Sequence, residues 1–192
     1  LAEARYAILL DGGFLTKRLY KRLGAHATAD DIVAECVRLR GLSEVANYEL
    51  LRIYYYDAFP SAERVTTPVS KNSLNLSTSA RYRQAQSLYD QLVLKPNFAL
   101  RMGSVHLSPN KWRIKPKVAK HLATTPRPLT DADFDLDLTQ KGVDMRVGMD
   151  MARLERDRMI WSREALLTLP SPPNGRRGLR RVSEGTLSLP EA

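Results

Sequence analysis

Apolar residues in this chain gather in short runs separated by amphipathic stretches. Arg5 to Asp11 (Arg-Tyr-Ala-Ile-Leu-Leu-Asp) is an apolar run closed by an acid and predicts a buried strand. Gly12-Gly13 allows a tight turn. Phe14, Leu15, Leu19 and Leu23 then recur at helical spacing, with Gly24 as a stop. Thr28 predicts the cap of a second helix, whose apolar positions are Ile32, Val33, Cys36, Val37 and Leu39 and whose end is Gly41. Leu50 to Asp57 reads as a second strand ending in an acid, broken by Ala58-Phe59-Pro60. Ser61 to Leu76 is polar and predicts a loop; Ser79 to Leu94 predicts a helix closed by Lys95-Pro96. Phe98–Arg101, Ser104–Leu107 and Trp112–Lys115 read as short strands, the last two as a basic hairpin, and Pro126 and Pro128 mark a loop. Thr139 to Arg158 predicts a helix with Val143, Val147, Met151 and Leu154 on one stripe. Alternating strands and helices predict an α/β class with a parallel sheet.

Composition narrows the class. Of 192 residues, 43% are hydrophobic, which supports a packed core. No run of about 18 apolar residues occurs, so no membrane-spanning helix is expected. Leu1 to Leu10 lacks the pattern of a secretory signal. A single cysteine, Cys36, excludes an internal disulfide and a multi-cysteine zinc site, and a reducing cytoplasmic setting is the default.

The net charge of +9 favours polyanionic partners. Its placement adds more. From Gln91 to Thr130 there is no acid, while Lys95, Arg101, Lys111, Arg113, Lys115, Lys117, Lys120 and Arg127 are basic. Asp131, Asp133, Asp135, Asp137, Asp144 and Asp150 follow. On one reading the bases hold a phosphate backbone and the carboxylates hold metal ions. On the other, two solvated segments of opposite sign neutralise each other, and charge alone favours this second reading.

Open parallel sheets carry their sites at the carboxyl ends of strands. Asp11 and Asp57 are expected there, and Asp144, in a first helical turn, would converge on the same edge. Clustered carboxylates call for a hard divalent cation such as Mg²⁺. Each aspartate also has a simpler reading, as a turn or cap residue, and for Asp57 that reading leads. Asp150 follows Asp144 by six residues, about 120° around a helix, so the two do not point at one ion. His26, His106 and His121 show no pairing pattern, and Cys36 lies on an apolar stripe. Trp112, amid Lys111, Arg113, Lys115 and Lys117, is equally a base-stacking residue and a half-buried strand tryptophan.

Two motifs carry a family resemblance. Tyr6-Ala-Ile-Leu-Leu-Asp-Gly-Gly-Phe-Leu15 resembles the opening strand of the NYN domain family, the LabA-like branch of the PIN-like nucleases. Gln140-Lys-Gly-Val-Asp-Met-Arg-Val-Gly-Met-Asp-Met-Ala-Arg-Leu154 resembles that family's Lys-Gly-Val-Asp helix with its second aspartate. The resemblance spans roughly residues 5–158. It implies a Rossmann-like three-layer α/β/α fold with a mostly parallel sheet, over a domain at 1–160 with a basic hairpin insertion near 101–128. It also implies RNA cleavage dependent on Mg²⁺ or Mn²⁺, with Asp11 and Asp144 holding the metal and Asp150 as a further catalytic acid. Lys141 would meet a phosphate, and Arg101, Lys111, Trp112, Arg113, Lys115, Lys117 and Lys120 would track RNA.

Two departures stand beside these expectations. Phe14 occupies a position where many members carry Asn, and no Gly-Asp-x-Asp occurs in the chain. The sheet is therefore expected to lack a C-terminal strand and a catalytic acid, and the exposed strand edges predict either association of copies or a poorly stable, aggregating chain. A change of reading frame or a truncation near Asp157–Ser162 would account for the Pro/Arg-rich composition of 161–192, which predicts a mostly disordered tail with only Ala165–Leu169 packable.

Overall fold

The computed structural model describes residues 5–43, 45–156, 159–161 and 167–170. The chain is α/β with a mixed sheet, and it divides into two compact units. The first comprises residues 1–57, 91–101 and 144–192; the second comprises 58–90 and 102–143.

The first unit starts with β1 (Arg5–Asp11), whose five central residues are all buried. A strand buried on both faces requires an unbroken apolar run, and Tyr6-Ala-Ile-Leu-Leu10 supplies one. Asp11 then caps α1 (Gly12–Leu23), and Gly24, at φ 69°, ends it in the left-handed conformation. Helix α2 (Ala29–Arg40) opens on a capping box in which Thr28 and Asp31 satisfy each other's backbone N–H groups. Its buried face, Ile32, Cys36 and Leu39, matches the predicted stripe, but Val37 is exposed.

Strand β2 (Glu49–Phe59) runs parallel to β1, with Asp11 opposite Tyr56. It continues two residues past the predicted end at Asp57 and stops before Pro60, which lacks a ladder donor. After α3 (Ala80–Val93), β5 (Phe98–Ile114) begins beside β2, where the Ile53 N–H donates to the Asn97 carbonyl. The last helix, α5 (Val143–Arg156), buries Leu154. Strands β7 (Met159–Trp161) and β8 (Leu167–Pro170) pair antiparallel with each other, and β8 pairs antiparallel with β1 at Ala7 and Ile8. The strand order here is β7-β8-β1-β2-β5. The edge of β1 away from β2 is thus paired with β8 at Ala7 and Ile8. Asp157, Arg158, Ser162 and the Pro/Arg-rich stretch 171–192 lie outside the described residues.

In the second unit, the predicted loop at 61–76 contains a small antiparallel pair, β3 (Arg64–Thr66) and β4 (Ser73–Asn75). The predicted hairpin at 104–115 is instead one continuous strand. Ser104–Leu107 and Trp112–Ile114 both belong to β5, and both pair with β6 (Phe134–Lys141) across a register shift. Lys111, at φ 55°, takes part in the bulge that absorbs the extra residues. Helix α4 (Pro116–Leu122) has Pro116 in its first turn and buries no residue. The predicted helix at 139–158 starts later, because Thr139–Lys141 pairs in β6 and Gly142, at φ 80°, turns the chain into α5.

Among the described residues, no helix is long and apolar enough to cross a membrane.

Candidate active site

Asp11 stands at the carboxyl end of β1, exposed, where its Oδ1 accepts the Phe14 N–H at 2.8 Å. The cap reading is therefore realised, and it leaves Oδ2 for other chemistry. Gly12 follows because nothing larger fits: a Cβ there would lie 2.6 Å from the Tyr55 ring and 2.7 Å from Asp57 Oδ2. Phe14 is exposed, adding an apolar ring to this corner.

Strand alternation sorts the neighbouring side chains by face. Tyr55 and Asp57 share one face of β2, and Tyr55 Oη donates to Asp57 Oδ2 at 3.4 Å. Tyr54 and Tyr56 lie on the opposite face, their ring centroids 6.4 Å apart. Asp11 is in register with Tyr56, so it belongs to the Tyr54/Tyr56 face. Asp57 falls on the other face, toward Gly12.

Helix α5 meets the Tyr56 face. The buried Tyr56 hydroxyl donates to Asp150 Oδ2 at 2.9 Å, and Arg101 Nε donates to the same oxygen at 2.9 Å. Burial first, then the Asp150 carboxylate, pushes the Tyr56 phenol far above its ordinary range, so it remains a donor. The Arg101 guanidinium lies 4.8 Å from the Tyr54 ring centroid. Burial acts to lower its pKa, but the Asp150 carboxylate outweighs that and holds it up.

Sequence reasoning missed this network, although a signal was present. Asp150 stands seven residues after Val143, three after Val147 and four before Leu154, on the apolar stripe itself. Asp144, in the first turn of α5, is exposed and has no side-chain partner among the described residues. Met145 and Met149 are exposed on the same helix.

No group of three or more His, Cys, Asp or Glu side chains is placed to hold a metal among the described residues. Asp11 and Asp144 are nonetheless exposed oxygen donors. Mg²⁺ takes oxygen ligands, so each of these carboxylates is of the chemical type that the ion binds.

The basic segment is largely neutralised. Arg113 and Lys115 approach Asp137 and Asp135 of β6 at 3.9 and 3.8 Å, and Arg127 forks onto Asp133 at 2.6 and 2.8 Å. The Arg127 fork and the Thr130 N–H hold the Asp133 carboxyl far below its usual range. Lys95 pairs with Asp30. Lys111, Lys117, Lys120 and Lys141 make no ion pair among the described residues and are exposed. Trp112 Nε1 donates to the Thr66 carbonyl at 2.8 Å, which fixes the indole. Cys36 is buried, and burial pushes its thiol up to about 12, which disfavours the thiolate.

No protein-family model, curated protein or solved structure matches this chain. The functional reading therefore rests on the residues themselves.

Proposed function

We propose that the chain is a Mg²⁺- or Mn²⁺-dependent RNA nuclease on a Rossmann-like, PIN-like three-layer scaffold. One observation carries the reading. Asp11 ends β1 on the face of Tyr56, and that face also receives α5, the helix with Asp144 in its first turn. Asp150, about 120° around the helix from Asp144, is the residue of α5 that bonds to Tyr56 on that face. The proposal requires Asp11 and Asp144 each to give one carboxylate to an ion that completes its shell with water and substrate phosphate.

Asp11 and Asp144 hold the ion in this proposal. An ion held there would supply activation of a water molecule and stabilisation of the leaving oxygen of the phosphodiester. The Phe14 N–H bond to Oδ1 keeps the Asp11 side chain in place, so its Oδ2 would bind an ion without a large ordering cost. Lys141, Lys111, Lys117 and Lys120 make no ion pair among the described residues, and the proposal assigns them contacts with RNA phosphates. The fixed Trp112 ring offers a surface for a base. A cytoplasmic setting is part of the proposal, supported by the single buried thiol.

Asp144→Asn tests the reading, because Asp144 is exposed and its loss leaves packing intact. The variant is expected to lose Mn²⁺-dependent cleavage of end-labelled RNA while melting at the wild-type temperature. A wild-type chain that cuts no RNA with Mn²⁺ overturns it.

A second reading, a non-catalytic RNA-binding module, draws on the occupied Oδ2 of Asp150. Salt-sensitive binding without turnover is its signature.

A further inference from the structure

The side chain of Arg101 is tethered in an unusual way for a residue that is one-third exposed. Its side chain is 35% exposed and that of Asp150 18%. Only Nε is used, in the 2.9 Å bond to Asp150 Oδ2. The flat of the guanidinium rests over Tyr54. The two terminal nitrogens have no partner among the described residues. An arginine paired structurally with a carboxylate ordinarily presents two nitrogens in a fork, as Arg127 does to Asp133. Here the carboxylate takes the near nitrogen and leaves the fork open. The Tyr56 hydroxyl, on the same Asp150 oxygen, holds the carboxylate from beneath. Two groups, Asp150 and the Tyr54 ring, thus fix the guanidinium, a third, Tyr56, holds Asp150, and the terminal nitrogens have no partner among the described residues.

We propose that Arg101 is a preorganised phosphate fork, that Asp150 is its positioning residue rather than a metal ligand, and that the ligand is an RNA phosphodiester. The inference rests on the nuclease reading for the identity of the ligand only. Fixing the side chain in advance removes the rotamer entropy that a free arginine loses on binding. A planar fork matches the paired oxygens of a phosphodiester in a way that the point charge of a lysine does not. The role of Asp150 is then opposite in sign to that of a bare acid beside a phosphate. A bare acid repels the anion, so removing it tightens binding. A positioning acid releases the fork when removed, so binding weakens.

The test uses the full chain in EDTA with dimethyl phosphate as probe, followed through the Arg101 Nε–H resonance. Arg101→Lys assigns that resonance by deleting it. In the wild type the resonance is expected to shift on titration. Asp150→Ala is expected to weaken the probe and a fluorescent single-stranded RNA by about tenfold each. Arg101→Lys is expected to weaken RNA comparably despite its conserved charge. Asp150→Asn, which keeps an acceptor for Nε, is expected to recover part of the loss. Tyr56→Phe removes one bond and keeps the carboxylate, so it gives a smaller loss and serves if Asp150→Ala does not fold. Tighter binding in Asp150→Ala, unchanged RNA affinity in Arg101→Lys, or an unmoved resonance in the wild type overturns the inference. The two readings fail separately. A wild type whose Arg101 resonance shifts but which cuts no RNA retains the fork and loses the nuclease. A wild type that cuts RNA with an unmoved resonance does the reverse.

Discussion

Asp11, Gly12 and Asp150 each do something a single-letter reading only half discloses. Asp11 is both strand terminus and helix cap, and the Phe14 N–H claims one oxygen without using the other. Gly12 is present because Tyr55 and Asp57 stand where a side chain would go. Gly12→Ala is expected to cost about 1–3 kcal/mol, since the contact is at 2.6 Å and Tyr55 is fully buried. Urea unfolding checks the value. Asp150 was within reach of sequence reasoning, because it interrupts an apolar stripe. Its partners, Tyr56 and Arg101, lie 94 and 49 residues away, and no local pattern names them.

At the scale of elements, legibility followed burial. Strand β1 and helices α1 and α2 were readable because their apolar periodicity and end signals agree. Strand β6 was not. Its alternating Phe-Asp-Leu-Asp-Leu is a strand period, but the acids drew the reading toward a surface segment. The single strand β5 was hidden by Pro109-Asn110, which signals a turn and here sits in a bulge. Strand β8 overlaps Ala165–Leu169, the one packable stretch in an otherwise Pro/Arg-rich tail, and it pairs on both sides, with β1 and with β7. Thr168→Pro deletes a ladder donor in a strand with two neighbours and is expected to release β8. The uncovered edge of β1 would then promote association, read as a rise in mass by light scattering.

For the whole molecule, the excess of bases is spent unevenly. Aspartates of β6 and its approach answer Arg113, Lys115 and Arg127, so surplus positive charge collects elsewhere, including on α4. In the first unit, buried Glu35 accepts from Arg22 at 3.0 Å and from Arg38 at 2.7 Å. Burial raises its pKa, but the two arginines outweigh burial and leave it below the ordinary glutamate range. A carboxyl depressed on folding stabilises the native state above its unfolded pKa, about 4.3, and loses that contribution as pH falls through the folded value. Glu35→Gln is therefore expected to lower stability by about 1–2 kcal/mol at pH 7, discounted because both arginines are half-exposed. It is also expected to flatten the loss of melting temperature below about pH 4, followed by circular dichroism.

The pairing of β8 with β1 has a consequence during synthesis. Ala7 and Thr168 lie about 160 residues apart, so β1 leaves the ribosome well before the strand that pairs with it. At about 5–20 residues per second, that flank of β1 goes without its mate for roughly 8 to 30 seconds. For that interval a nascent polysome offers rows of identical unpaired strands to one another or to a chaperone.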